Sequence, residues 1–246
     1  MPDPSTLRDR EALAAKALIV AVVATVLLYV VPYGRTIGYP LVLISTIAHE
    51  MGHGIAGVLV GGRFESFLVF SDASGTAHVL GYDGRFARAF VSAGGLCGPA
   101  VAAALGFFAA RRAAWARIAV LVAGALLAVS LLWVVRNVFG WIAVGALSAA
   151  LLGVGLRARA ETAQVVLVFL AVQLSLSVFS RGDYLFVSVA RTGEGTFPSD
   201  VANMASALFL PFWFWGALCG AFSIAVLALG LRSYLLTVLG PSKPAR

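Results

Sequence analysis

Residues 45–54 read STIAHEMGHG, in the middle of an apolar run that extends from about 39 to 61. His49 and His53 are four residues apart, and Glu50 follows the first of them. On a helix this spacing sets both imidazoles on one face, one turn apart. Glu50 then lies about 100° further round. Two histidines so placed suit two corners of a tetrahedral zinc site. Glu50 reaches a water at the metal without ligating it. The set suits hydrolysis: zinc acidifies the water, Glu50 accepts the proton, and the oxygen attacks an amide carbonyl. With 3 His and 5 Glu in 246 residues, a HExxH match arises in about one shuffled chain in a thousand. The bland alternative is a helix whose polar residues pair only with one another. Against it, ionisable groups inside an apolar span are costly and mark function.

The rest of the chain explains why the run is so apolar. The sequence is 61% hydrophobic and 12% charged, with a mean hydropathy of +0.95. A soluble domain carries about twice that charge, so the chain is an integral, multi-pass membrane protein. Its length allows roughly six or seven spans of about 20 residues. The apolar runs are continuous and lack strand alternation, so the spans are helices. They are expected at 17–33, 39–61, 89–110, 117–135, 139–156, 163–180 and 203–231. The first is read as a retained span, since VVPYGRT after it offers no small-x-small cleavage site. YLFVSVA, 184–190, is too short to cross.

The fold class expected is an all-α polytopic membrane protein, with about six to seven transmembrane helices and a small β-hairpin after the zinc helix. The hairpin is read in 62–82. Phe64, Ser66, Leu68 and Phe70 alternate with Glu65, Phe67 and Val69, and SDASG supplies the turn before TAHVL. The net charge of +7 comes from basic residues that flank apolar runs, which argues for a lipid bilayer and against nucleic acid as a partner. Lys and Arg divide evenly between the two sides in a seven-span count, so charge does not fix the orientation. Cys97 and Cys219 each lie in an apolar segment and read as small buried hydrophobes. The aromatic cluster FLPFWFWG, 209–216, reads as interfacial anchoring. Gly54, Gly57 and Gly61 form a stripe where a second helix packs or an extended substrate approaches.

AHEMGHG in a membrane helix, then the hairpin, then SAGGLCGPAVAAAL opening the next span, resembles the site-2 protease family of intramembrane zinc metalloproteases. Within it, the chain looks like the compact bacterial branch without a PDZ domain. VQLSLSVFSRGDYLF and FPSDVANMASALFLPFWFW resemble that branch's C-terminal part. The resemblance implies one membrane metalloprotease domain over 1–246. Its parts are the zinc helix 39–61, the hairpin 62–82, a Gly-Pro core span 89–110 and an aspartate region 181–231. Gly94, Gly95, Gly98 and Pro99 match the Gly-Pro motif and are expected to support the core and substrate. The implied cofactor is Zn2+, with His49 and His53 as ligands and Glu50 as the catalytic base. The implied partner is a membrane-protein substrate with a transmembrane segment, and the implied location is the bacterial plasma membrane.

In the family a distant aspartate from a Leu-Asp-Gly motif completes the zinc site. This sequence has no such motif. Two candidates take its place. Asp200, in FPSDVANM, opens the last long span behind a helix start at Pro198 and Ser199. Asp183, in SRGDYLF, follows the preceding span. Asp200 is the preferred third ligand, because an aspartate opening a membrane helix resembles the family geometry; Asp183 is the alternative. The residue not used is expected to cap a helix or to pair with Arg181 or Arg191. His78, in the second hairpin strand, is read as an interfacial histidine rather than a ligand.

The function implied is a zinc-dependent intramembrane endopeptidase, a metalloendopeptidase that cuts peptide bonds in or near transmembrane segments. The strand at 66–70 is expected to offer its edge to the unwound substrate. A catalytically inactive zinc-binding scaffold or chaperone of the same family is the alternative. Glu50 argues against it, since structural zinc has no use for a base. A transporter with a midplane site is a further alternative; internal repeats and paired broken helices would mark it, and neither is evident. Substrate, cleavage site and oligomeric state are not legible.

Overall fold

The structure is a computed structural model and describes residues 4–180 and 182–239. Helix α1 (Pro4–Val30) and the single turn α2 (Gly34–Ile37) lead into α3 (Tyr39–Leu59), which carries HEMGH. The strands β1 (Arg63–Val69) and β2 (Gly75–Leu80) follow, then α4 (Arg85–Ala109), α5 (Ala113–Trp133), α6 (Val138–Arg157) and α7 (Ala160–Ser180). A 3-10 turn at Gly182–Phe186 opens into a second pair of strands, β3 (Val189–Thr192) and β4 (Gly195–Pro198). The chain ends in a short α8 (Asp200–Leu208) and a long α9 (Phe212–Leu239).

Among the described residues, α3, α4, α5, α6, α7 with the turn after it, and α9 are long and apolar enough to cross a membrane. The apolar part of α1, Ala12–Leu28, is shorter. The all-α membrane architecture read from the sequence is therefore the one observed. The second hairpin was not anticipated.

Two helices hold the centre. In their apolar windows α3 is 44% buried and α4 50%, against 28% for α5, α6, α7 and α9. They meet backbone to backbone. A Cβ on Gly52 would come within 2.2 Å of the Gly94 carbonyl oxygen, and one on Gly98 within 2.6 Å of that of Ala48. Only glycine permits so close a crossing, in which dispersion and close packing replace a hydrophobic drive that lipid does not supply. The stripe of Gly54 and Gly57 does not serve that crossing. A Cβ on Gly54 would strike the Phe64 ring and one on Gly57 the Val79 side chain. The stripe therefore receives the first hairpin rather than a second helix. Gly61 has an open Cβ position and a φ of +85°, which ends the turn after α3.

The first hairpin is antiparallel, with Phe67 opposite Ala77 and Val69 opposite Gly75, and the register shifts between Phe64 and Ser66. Beyond that bulge Phe67 and Val69 point inward and are fully buried. They share a core with Leu43, Ile47, Val120 and Val144. The outer edge of β1 is closed. Phe67 N–H donates to the Val134 carbonyl at 2.7 Å, and Arg136 N–H donates to that of Phe67 at 3.2 Å. Val69 N–H donates to Asn137 Oδ1 at 3.2 Å, and the Asn137 amide returns a bond to the Val69 carbonyl. This corrects the expectation that the 66–70 strand offers a free edge. Unpaired backbone groups in apolar surroundings are costly, and the α5–α6 link satisfies them. Because Phe67 and Val69 bond outward, their partners Ala77 and Gly75 also direct their backbone groups outward. The open edge is that of β2.

The expected single span 203–231 is two helices. Pro211 lacks an N–H and disfavours helix in the residue before it. Phe209 closes α8 in the left-handed region, at φ +68°. With nine residues, α8 is about 14 Å long, too short to cross.

Candidate metal centre

His49 and His53 project from the buried face of α3, and Asp200 reaches them from the first residue of α8. His49 Nε2 lies 3.1 Å from Asp200 Oδ2. His53 Nε2 lies 3.4 Å from Asp200 Oδ1 and 3.2 Å from His49 Nε2. Ligands about 2.0–2.1 Å from a tetrahedral zinc stand roughly 3.3–3.4 Å apart. The two imidazole nitrogens and the two oxygens of the Asp200 carboxylate thus stand at about the spacing of ligands around one tetrahedral zinc.

Local structure holds each group. Ser199 caps α8 by accepting a bond from Ala202 N–H at 3.3 Å, and its hydroxyl donates to the Val187 carbonyl at 2.6 Å. His53 Nδ1 donates to the Val91 carbonyl on α4 at 2.8 Å. That bond leaves the lone pair of a neutral His53 on Nε2, facing His49 and Asp200, as a metal ligand requires. Gly95 makes room for the ring: a Cβ there would lie 2.1 Å from His53 Nε2. Pro99 lines the adjoining cavity.

The donor set fits a divalent cation. Asp200 Oδ2 is buried and lacks a hydrogen-bond partner among the described residues. Burial works against charge on Asp200, yet the two imidazoles outweigh it and hold the carboxyl below the ordinary carboxylate range. A carboxylate and two imidazole nitrogens converge on one point, and imidazole with carboxylate suits zinc.

Glu50 is buried beside this cluster. Its carboxylate faces the open edge of β2, where it lines a cavity together with Ala77. Gly75 leaves the space it occupies: a Cβ there would stand 2.8 Å from Glu50 Cγ and from Thr46 Cγ2. The Thr46 hydroxyl donates to the Ala73 carbonyl at 2.6 Å, pinning the hairpin turn on α3. Within that turn the Ser74 hydroxyl and amide hold the Asp72 carboxyl below its usual range. A cavity of about 360 Å³ adjoins His49 and Glu50, and is bounded by Thr46, Gly75, Tyr184 and Arg191. A second, of about 270 Å³, holds His49, Glu50, His53 and Asp200 together with Ala77 and Asn203.

Other candidates lie elsewhere. His78 is engaged by Ser66, whose hydroxyl is 2.8 Å from Nδ1, and by Glu194, 3.3 Å from Nε2. The Asp183 side chain and Arg181 lie outside the described residues. Asp200 opens the short α8 rather than the last span. Two residues at the site had escaped notice. The Tyr184 ring stands edge-on to His49, 5.8 Å between centroids. Asn203 follows Asp200 by one helical turn and lines the same cavity; that i, i+3 spacing was visible in FPSDVANM.

A family model described as Peptidase M50B-like matches residues 18–230. The chain belongs to this family. The match spans all three residues of the cluster and Glu50, and it establishes a membrane protein of a metalloprotease family. Neither the curated proteins nor the solved structures include a match to the chain.

Proposed function

We propose that this Peptidase M50B-like protein is a zinc-dependent endopeptidase of the bacterial plasma membrane that hydrolyses peptide bonds in or near transmembrane segments of other membrane proteins. The observation that carries the reading is the convergence of His49 Nε2, His53 Nε2 and Asp200 at 3.1–3.4 Å with Glu50 buried alongside.

His49, His53 and Asp200 hold the metal, and the Val91 carbonyl fixes the His53 ring. Zinc there supplies a Lewis acid that acidifies water and polarises a carbonyl. Glu50 takes the proton from the attacking water and passes it to the leaving amine. An amide inside a helix has its carbonyl bonded within the helix, so the substrate must unwind before attack. The outward backbone groups of Gly75 and Ala77 run past Glu50 and can receive the unwound segment as an added strand. Gly94 and Gly98 keep α4 against α3, and Gly95 keeps the His53 ring in place.

Zinc per chain in detergent-purified protein tests the centre. Wild type should hold about one zinc, retained in Asp183→Ala and lost in His49→Ala and Asp200→Ala. Glu50→Gln should keep the zinc while cleavage of a co-expressed membrane substrate falls by about 10²–10⁴-fold. Zinc-replete Glu50→Gln that cleaves normally would leave the scaffold reading. A wild type that takes up no metal would end the protease reading.

A further inference from the structure

We propose that the β3–β4 hairpin is a strap clasped onto β2 across the approach to Glu50, and that an extended segment reaches the site only when the clasp opens. What enters rests on the protease reading; the strap rests on its own contacts. The strap tip, Thr192–Gly195, meets the first hairpin at alternate residues. Gly193 N–H donates to the Ser74 hydroxyl at 2.9 Å. The hydroxyls of Thr76 and Thr192 stand 3.5 Å apart, and Glu194 Oε1 lies 3.3 Å from His78 Nε2. The Ser66 hydroxyl lies at His78 Nδ1, and the Glu194 carboxylate, an acceptor only, calls for an Nε2–H on the other side of the ring. Gly193 lies flat on Phe70, where a Cβ would come within 2.4 Å of the ring.

These contacts use side chains and the tip of the strap. The two hairpins remain separate two-stranded sheets, so β3 does not take up the outward backbone groups of β2. Ala190 and Thr192 form part of the wall of both cavities beside Glu50. The strap therefore covers the edge that a substrate strand would use, and among the described residues it forms no backbone ladder with that edge. Its base is held more firmly: Ser199 N–H donates to the Ser188 carbonyl at 3.0 Å, and its hydroxyl to that of Val187. Opening is thus a swing of the tip about a base that adjoins Asp200. Partly exposed polar contacts such as His78–Glu194 are individually weak, which suits a clasp that an incoming strand displaces. Short lids of this kind commonly gate access and exclude water.

Access to the cavity can be read without metal or substrate. The chain's two cysteines are buried, so Ser45→Cys, on the wall of the larger cavity, supplies a reporter thiol. Its rate of labelling by a charged methanethiosulfonate is measured in metal-free protein, with the clasp intact and with Thr192→Val and Glu194→Ala together. The clasp-free protein should label at least threefold faster. Equal rates in two folded proteins would overturn the strap. A second arm links Thr76→Cys to Thr192→Cys with oxidised glutathione in zinc-loaded protein and follows zinc loss to excess EDTA. The cross-linked form should lose zinc at least tenfold more slowly than its reduced form; equal loss would also overturn the strap. Absence of zinc from wild type would defeat the protease reading, and the labelling arm would still decide the strap.

Discussion

The α3–α4 pair and the α5–α6 pair both set neighbouring membrane helices side by side, and both contain glycines at the contact. They use them differently. In α3–α4 the glycines admit backbone: Gly52 faces the Gly94 carbonyl, and Gly98 faces that of Ala48. In α5–α6 they mainly admit side chains. The Leu152 side chain lies over Gly124 and the Leu121 side chain over Gly155, while the Ser148 hydroxyl donates to the Gly124 carbonyl at 2.8 Å. A glycine opposite a side chain has a neighbour able to shift; one opposite backbone does not. The rigid crossing is the one that carries His49, Glu50 and His53. A metal centre needs ligand positions held within a fraction of an ångström, and a backbone-to-backbone contact supplies that.

The largest break in this contrast is Gly52→Val. Its side chain would overlap the α4 backbone, and the cost should reach about 3 kcal/mol or more. Thermal unfolding in detergent should reveal it, together with loss of bound zinc. The same chemical change at Gly153, whose Cβ position is open, should stay within about 0.5 kcal/mol. Comparable losses at both positions would remove the distinction.

A sharper probe is Gly95→Ala. The added methyl meets the His53 ring rather than backbone, so the helices should stay together while the ring is displaced. Zinc affinity should fall by about 10–100-fold, as when a ligand's supporting contacts are removed. Metal titration against a competing chelator checks this. Gly75→Ala acts on the other wall. It should push Glu50 from its seat and slow cleavage by roughly tenfold or more, within the range a general base supplies, with zinc content unchanged. The smallest effect belongs to Ser148→Ala in α6. Losing its bond to the Gly124 carbonyl should cost about 0.6 kcal/mol, and both zinc and cleavage should be unaffected.

The elements governed by local periodicity were legible. Long apolar runs predicted the spans, and the i, i+4 spacing of His49 and His53 predicted a shared face. The cap signal Pro198-Ser199 marked the start of the helix that brings Asp200 to them. What escaped depends on partners distant in the chain. The spacing of Gly54 and Gly57 indicates one stripe but not that Phe64 and Val79 fill it. The closure of β1 depends on Val134–Asn137, which no strand pattern in α5 or α6 announces. Hydropathy runs on through FLPFWFW, so the span prediction continued across Pro211, although that proline was in plain view. The strap escaped because four-residue strands at Val189–Thr192 and Gly195–Pro198 offer too few alternations to register.

The closed edge of β1 also has a bearing on biosynthesis. Val69 finds its partner in Asn137, 68 residues later. A ribosome adding about 5–20 residues per second leaves that edge uncovered for roughly 3–14 s. During this interval an apolar strand with open hydrogen-bonding groups waits in the nascent chain, able to pair with whatever strand it meets. Insertion of α5 and α6 ends the exposure. Delays in translation between residues 80 and 137 should therefore raise misassembly more than equal delays after α6.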